Sequence, residues 1–167
     1  EEKSSFKEGY KIVSFYIDAE SLIKRAYVLR QEGWREKENI GYYQRMFEAK
    51  KISSMRKYLT ENSRVFINNI ISTIAENQIK LFDRKGNPII INDKGEFEGD
   101  NASTNVTPAL IEINDECNII GLIDGQHRTY AYHEGDDIYE PHIAKLRKIQ
   151  NLLVTGILFP QKESKES

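Results

Sequence analysis

The chain has 167 residues and a mass of 19.4 kDa, which is the size of one domain. Hydrophobic residues make up 39% of it, enough for one core, which excludes a wholly disordered chain. The 24 basic and 26 acidic residues leave a net charge of −2, so there is no overall basic excess to hold nucleic acid. Cys117 is the single cysteine and no apolar run approaches the ~18 residues of a membrane span, so we expect a cytoplasmic protein that makes no membrane contact.

Composition along the chain predicts one domain between two polar ends. Residues 1–8 are polar and charged and are expected to form a disordered N-terminal tail, and residues 161–167 a polar C-terminal tail. Residues 9–160 contain no repeat and no long linker, so they are assigned to a single domain. The chain begins with Glu1 and not with Met, and we expect it to be a fragment or a processed form.

The first half of the domain is predicted to contain one strand and two helical regions. Residues 11–17 are β-branched and aromatic and indicate a strand, after which Asp18 is a good helix N-cap. The apolar stripe of the helix that follows consists of Leu22, Ile23, Ala26, Tyr27 and Leu29. A charged connector over 31–40 leads to a helical region over 42–60, where the apolar phase slips near 48–51 and predicts a break or two abutting helices.

The second half is predicted to be richer in strands. We expect a strand over 66–74, a hairpin that joins 79–82 to 89–91 through a turn at 83–86, and an exposed loop over 92–105. Strands over 106–113 and 118–123 follow, then a helix from the turn at 124–125 to about His133, a helix over 143–149 and a strand over 152–159. The mixture predicts an α+β domain rather than a doubly wound sheet.

The most informative segment is the strand–turn–helix signal at residues 121–132. An apolar strand ends at Ile123, Gly125 permits a tight turn, and the next residues open a helix. Free backbone N–H groups and the positive dipole end make a helix start an anion site, and Arg128 beside it favours phosphate. His127 adds a group that titrates near neutral pH.

Asp124 complicates this interpretation, because a carboxylate repels a bare phosphate. It fits better where Mg²⁺ bridges the two groups, or where it orients His127, Arg128 or a water molecule. The alternative is structural: Asp124 caps the helix and Arg128 pairs with a surface carboxylate. The residues alone leave both interpretations open.

The five residues at 124–128, Asp-Gly-Gln-His-Arg, spell the motif of the DGQHR-domain family, and the segment resembles that family. The best-known branch of this family is the DndB-like proteins of bacterial DNA phosphorothioation systems. A second family-like element is the Tyr-Tyr-Gln-Arg-Met sequence at 42–46. The order of the two elements also resembles the ParB/sulfiredoxin superfamily, and the resemblance covers about 9–159.

This resemblance implies a ParB/sulfiredoxin-like fold, a mixed sheet with flanking helices, that binds a nucleoside triphosphate with Mg²⁺ and leaves open whether it hydrolyses it. It implies that Gly125 and Gln126 cradle phosphate and that Arg128 and Arg45 neutralise it, with Gln44 as a further phosphate- or nucleotide-binding residue. The catalytic candidates are Asp124, which would hold Mg²⁺ or a water molecule, and His127, which would position the phosphate or transfer a proton.

Two departures from the family pattern limit what is carried over. Gln126 stands where sulfiredoxin-like relatives have a cysteine, and Cys117 lies before the strand, so a thiol mechanism is not expected. Relatives also carry an Asn-rich element after the last strand, which has no counterpart after Phe159. A truncated chain or an incomplete pocket would explain that difference.

The alternative function is a DNA-binding regulator or an interaction module of a DNA-modification complex, without enzymatic activity. Its DNA-contact candidates are Lys145, Arg147 and Lys148, to which Arg56 and nearby lysines could add a second basic cluster. Ordinary solvated helix faces would show the same pattern. The tyrosines that flank the two motifs could stack a base or pack in the core; they are Tyr42, Tyr43, Tyr130 and Tyr132.

Overall fold

The computed structural model describes residues 11–28, 38–66, 68–90 and 108–160, with the backbone alone over 38–48. The strands, in chain order, are β1 (Lys11–Asp18), β2 (Ala26–Val28), β3 (Ile70–Ala75), β4 (Ile79–Phe82), β5 (Leu110–Ile113), β6 (Ile120–Asp124) and β7 (Asn151–Phe159). The helices are α1 (Ala19–Arg25), α2 (Glu38–Asn62), α3 (Gln126–Tyr130) and α4 (Glu140–Ile149), and a 3₁₀ turn covers Glu76–Gln78. The predicted α+β class is confirmed.

Five strands form a mixed sheet in the order β1-β7-β3-β6-β2. The β1–β7 and β3–β6 pairs are antiparallel, and the β7–β3 and β6–β2 pairs are parallel. A β-bulge between Ile71 and Ser72 shifts the β3–β6 register next to the end of β6. Strands β4 and β5 form a separate antiparallel pair.

The core lies on one face of the large sheet, to which alternate residues of β3 and β7 point. On β7 the buried hydrophobic side chains are Leu152, Val154 and Leu158, which lie beside Ile70 and Ile74 of β3. Helices α1, α2 and α4 contribute further buried apolar residues: Ala19, Leu22, Leu59, Ile143 and Leu146. Burying each leucine, isoleucine or valine side chain stabilises the fold by about 1.5–3 kcal/mol.

The start of the domain follows its local signals until Arg25. Asp18 caps α1 as predicted, since its Oδ2 accepts a hydrogen bond of 2.9 Å from the Ser21 N–H. The prediction that this helix continues to Leu29 is wrong, because α1 ends at Arg25. Ala26–Val28 instead forms β2, paired in parallel with the first three residues of β6.

Other boundaries also differ from the predictions. Helix α2 runs without interruption over Glu38–Asn62, so the break expected near 48–51 is absent. The turn at 83–86 forms, with Gly86 at φ 84° and an Ile89 N–H donating to the Leu81 carbonyl at 2.8 Å. The predicted hairpin is present only as an isolated antiparallel bridge between Phe82 and Pro88 and this hydrogen bond, and residue 91 lies outside the described residues. The ladder partner of β4 is β5.

Near the motif, α3 ends at Tyr130, earlier than predicted, and α4 begins at Glu140 rather than at 143. The tails at 1–8 and 161–167, the connector up to 37 and the loop at 92–105 lie outside the described residues. None of the helices in the described ranges has both the length and the apolar character needed to cross a membrane.

Candidate functional site

The Asp-Gly-Gln-His-Arg segment forms a tight turn between β6 and α3. Gly125 has φ 90° and ψ 14°, a left-handed conformation that L side chains rarely adopt. The Gly125 N–H donates to Asp124 Oδ1 at 2.8 Å, and the Gly125 carbonyl accepts from the Thr129 N–H and hydroxyl at 3.0 and 3.1 Å. Asp124 therefore bonds the next residue and does not cap α3, which has no side-chain cap.

Glycine is required at 125 for a second reason, which is close packing. A Cβ added there would lie 2.9 Å from Ile70 Cγ1 and 2.9 Å from Arg128 Nη2. The missing side chain thus lets the Arg128 guanidinium fold back over the turn. Turn and guanidinium form one compact unit at the end of β6.

Arg128 is the main charged group of this unit. Its Nη2 donates to the Asn69 carbonyl at 2.7 Å, and its Nε is buried without a hydrogen-bond partner among the described residues. Within that part of the chain no carboxylate pairs with it, unlike the surface ion pair of the structural alternative. A half-buried guanidinium with unused donors is suited to an anion.

The other side chains of the motif differ in exposure and in hydrogen bonding. Asp124 is exposed, and its second oxygen accepts no hydrogen bond from the described residues. Gln126 is half-exposed and, among the same residues, its amide is unbonded. His127 is half-buried and interacts with another group of the protein. Amide, carboxylate and guanidinium groups therefore occur together in the same five-residue turn.

Asp124 is the acidic candidate for Mg²⁺. Over the described ranges, no group of three or more His, Cys, Asp or Glu side chains is arranged to hold a metal ion. Mg²⁺ is often bound through one or two carboxylates plus substrate phosphates. A cation on Asp124 would therefore depend on a bound phosphate group for its other ligands.

The second predicted element lies on α2. Gln44 and Arg45 belong to this helix, and their side chains fall outside the described residues. The contact of Arg45 with the phosphates that Arg128 would hold stays a prediction. Helix α2 does pack against α3 and α4, farther along, through Arg56.

A buried charge network lies behind the turn and was not predicted. The Arg56 side chain is 1% exposed, and its Nε and Nη2 donate to the two Asp137 oxygens at 2.7 and 2.9 Å. Arg56 Nη2 also donates to Glu140 Oε2 at 2.9 Å, and Arg147 Nη2 donates to Glu140 Oε1 at 2.7 Å. Arg56 Nη1 donates to the backbone carbonyl of Ala131 at 3.0 Å.

The network changes the acidity of its carboxyl groups. Burial raises the pKa of Glu140, but the Gly135 N–H and the guanidinium groups of Arg147 and Arg56 outweigh burial and lower that pKa to about 2. The hydrogen bond from Arg56 lowers the pKa of Asp137. Both carboxylates therefore stay charged and hold the α3–α4 loop against α2.

Sequence reasoning had one signal for this network. Glu140 and Arg147 are seven residues apart on α4, which places them on one helix face with the buried Ile143. A charged pair that shares the apolar face of a helix indicates a buried ion pair. Arg56 and Asp137 are 81 residues apart, and no local pattern joins them.

The DNA-contact set needs a correction. Arg147 is 7% exposed and bound to Glu140, so it cannot face DNA together with its neighbours. Lys145 and Lys148 are exposed on α4 as that hypothesis requires. Arg56, proposed for the second basic cluster, is buried as well.

The tyrosines beside the motif are also placed differently from the stacking hypothesis. Tyr132 is fully buried, and its hydroxyl donates to Gln150 Oε1 at 2.6 Å. Tyr130 is half-buried and packs against the core. Tyr42 and Tyr43 lie on α2 among the side chains outside the described set.

Two clefts lie away from the turn. One, of about 450 Å³, is bordered by Lys11 and Ile89, and the other, of about 530 Å³, runs along β1 between Ser14 and Leu110. Neither is lined by a residue of the 124–128 segment. The turn at 124–128 is therefore separate from both clefts.

Comparison with protein-family models, curated proteins and solved structures found no match to this chain. The resemblance to the DGQHR-domain family is based on the motif residues themselves. The geometry around Asp124, Gly125 and Arg128 is the second, separate basis for assigning a function.

Proposed function

We propose that this chain binds a nucleotide through its phosphate groups at the 124–128 turn, as a domain of a DGQHR-family protein with a ParB/sulfiredoxin-like fold. The observation that carries the proposal is the half-buried Arg128 guanidinium, held over Gly125 without a carboxylate partner in the described ranges. Phosphate oxygens are acceptors whose charge and geometry complement an arginine fork.

Asp124 gives the site its requirement for a cation. Its Oδ1 is occupied by the Gly125 N–H, and its other oxygen can bind Mg²⁺. The cation would bridge this carboxylate and the phosphate groups, which otherwise repel each other. Gln126 would add a neutral amide to the same phosphate groups.

Binding is the core of the proposal, and hydrolysis is its extension. His127 would position the terminal phosphate or transfer a proton, and Arg45 would add a second positive charge from α2. On the motif resemblance we assign the protein to bacterial DNA modification or defence, in the class of the DndB-like phosphorothioation proteins. Such a role would place it in the cytoplasm with DNA-modification partners.

The test is thermal unfolding with ATP, GTP, CTP or UTP in the presence and absence of Mg²⁺. A ligand at ~100 times its dissociation constant stabilises by about 2.7 kcal/mol, which for this chain length is roughly 5–10 °C in Tm. We expect such a shift for at least one nucleotide, and its loss in Arg128→Ala. Arg84→Ala is the matched control, because Arg84 is an exposed arginine in the distant turn at 83–86.

Two further variants separate the roles within the turn. Asp124→Asn keeps an oxygen for the Gly125 N–H but loses the charge, so we expect a normal fold with a nucleotide shift that no longer depends on Mg²⁺. Arg128→Lys keeps the charge without the fork and should bind more weakly than the wild type. Absence of any nucleotide shift in the wild type, or unchanged affinity in a folded Arg128→Ala variant, refutes the proposal.

A further inference from the structure

A chain of hydrogen bonds leads from the motif turn onto the exposed face of the large sheet. Arg128 Nη2 bonds the backbone carbonyl of Asn69, whose side-chain Nδ2 donates to Thr155 Oγ1 at 2.7 Å. Thr155 Oγ1 lies 3.2 Å from Ser14 Oγ. Polar groups thus link the turn at 124–128 to the residue just before β3, and from there to β7 and then to β1.

These residues occupy the sheet face opposite the core. Thr155 pairs with Ser14 on one side and with Ile71 on the other. The alternate residues are buried on β3 and β7 and half-buried on β1. Tyr16, two residues after Ser14 on β1, is 72% exposed, and Ile71 is 36% exposed. This face therefore combines an aromatic ring, apolar surface and fixed polar groups.

Asn69 is the most suitable group for recognition. Its hydrogen bond to Thr155 fixes the amide plane, while Oδ1 and the second N–H make no bond with any described residue. A fixed amide offers one acceptor beside one donor, the pattern that base edges and sugar hydroxyls complement. The threonine and serine hydroxyls extend this pattern along the row.

The dimensions suit a nucleoside whose phosphates sit at the turn. Strands β6, β3, β7 and β1 are consecutive in the sheet, so Asp124 and Ser14 are separated by three strand spacings, about 14 Å. Asn69 is at the phosphate end of this span, and Tyr16 is near the far end. Phosphates, sugar and base can follow one another along it.

We propose that the exposed sheet face along Asn69, Thr155 and Ser14, with Tyr16 beside it, binds the sugar and base of the nucleotide. This inference rests on the proposed function, and it assigns base stacking to Tyr16 rather than to the tyrosines that flank the motif. Stacking on a ring tolerates any base, whereas the amide of Asn69 supplies selectivity.

The experiment compares a nucleoside triphosphate with inorganic tripolyphosphate, both with Mg²⁺, by isothermal titration calorimetry. Asn69→Ala keeps the backbone carbonyl that anchors Arg128, and Tyr16→Ala removes only an exposed ring. We expect each to lower the affinity for the nucleotide about tenfold and to leave tripolyphosphate binding unchanged.

Thr155→Val tests the middle of the row, with Thr73→Val as its matched control. Thr73 is a threonine on the same face of the neighbouring β3, and it is not part of the hydrogen-bonded row. We expect Thr155→Val to weaken nucleotide binding and Thr73→Val to have no effect.

The outcomes distinguish this inference from the function on which it rests. Equal wild-type affinity for nucleotide and tripolyphosphate, or an unchanged affinity ratio in both Asn69→Ala and Tyr16→Ala, overturns the sheet-face inference and leaves the phosphate site standing. Failure of the wild type to bind either compound overturns both proposals.

Discussion

Replacing Glu140 by glutamine tests the interpretation of the buried charge network. The Glu140 carboxylate accepts hydrogen bonds from Arg56 Nη2, Arg147 Nη2 and the Gly135 N–H, and its side chain is 22% exposed. Its pKa falls from 4.5 to about 2 on folding, and at 1.36 kcal/mol per pKa unit the charged form contributes about 3 kcal/mol. Breaking a buried ion pair costs a similar 3–5 kcal/mol.

We therefore expect Glu140→Gln to lose about 3 kcal/mol of unfolding free energy at pH 7, or roughly 6–12 °C in Tm. The measurement is urea unfolding followed by circular dichroism at 222 nm. Glu61→Gln is the control, since Glu61 is an exposed partner of Lys57 at 3.8 Å and its loss should cost under about 0.5 kcal/mol.

The pH dependence gives a second check on the same variant. The folded-state pKa of Glu140 is lowered, so its contribution is complete above pH 4.5 and is lost as the pH falls toward 2. At pH 3 about 2 of the 3 kcal/mol should be gone, and the difference between wild type and Glu140→Gln should narrow to about 1 kcal/mol. A loss under 1 kcal/mol at pH 7, or a difference that is constant with pH, would refute the reasoning.

Three further predictions follow from the packing. Gly125→Ala should lower the unfolding free energy by about 2 kcal/mol or more, because a Cβ is strained at φ 90° and has no space; a cost below about 0.5 kcal/mol in urea unfolding would contradict the turn geometry. Tyr132→Phe should cost about 1–3 kcal/mol in the same assay, since it leaves Gln150 Oε1 without its donor, and a neutral effect would mean that water replaces the hydroxyl. Arg147→Met should lower Tm by several degrees, whereas Lys148→Met should change the unfolding free energy by under about 0.5 kcal/mol. Equal effects of the two substitutions on stability would contradict the burial of Arg147.

Signals that are local in sequence predicted the elements that local physics determines. Asp18 is followed by a helix whose Ser21 N–H it caps, and Gly125 takes the left-handed conformation that a strand-to-helix turn favours. Strand β7 was predicted over 152–159, where aliphatic and β-branched residues predominate, and it forms over Asn151–Phe159. In each case a few neighbouring residues contain the whole signal.

Elements determined by distant partners were not predictable in the same way. Residues 26–28 fit a helical stripe by spacing, yet they pair with β6, nearly 100 residues later in the chain. The sequence alone does not show that pairing, so tertiary context overrides the local pattern.

The candidate site, too, was predictable only where its signal is local in sequence. The turn at 124–128 and its arginine were identified from the sequence, but the contact of Arg128 with the Asn69 carbonyl joins residues 59 positions apart. Arg147 was assigned to the surface because lysines and arginines are rarely buried. Its partner Glu140 shares a helix face with it, and that spacing was the available clue.

The position of β7 in the sheet has a consequence for biosynthesis. Strand β7 lies between β1 and β3, although the ribosome makes it about 140 residues after β1 begins. At a synthesis rate of ~5–20 residues per second, roughly 7–30 s pass between the synthesis of β1 and that of its hydrogen-bonding partner. During that interval the inner edges of β1 and β3 are unpaired strand edges, so the nascent chain offers binding sites to chaperones until β7 leaves the exit tunnel.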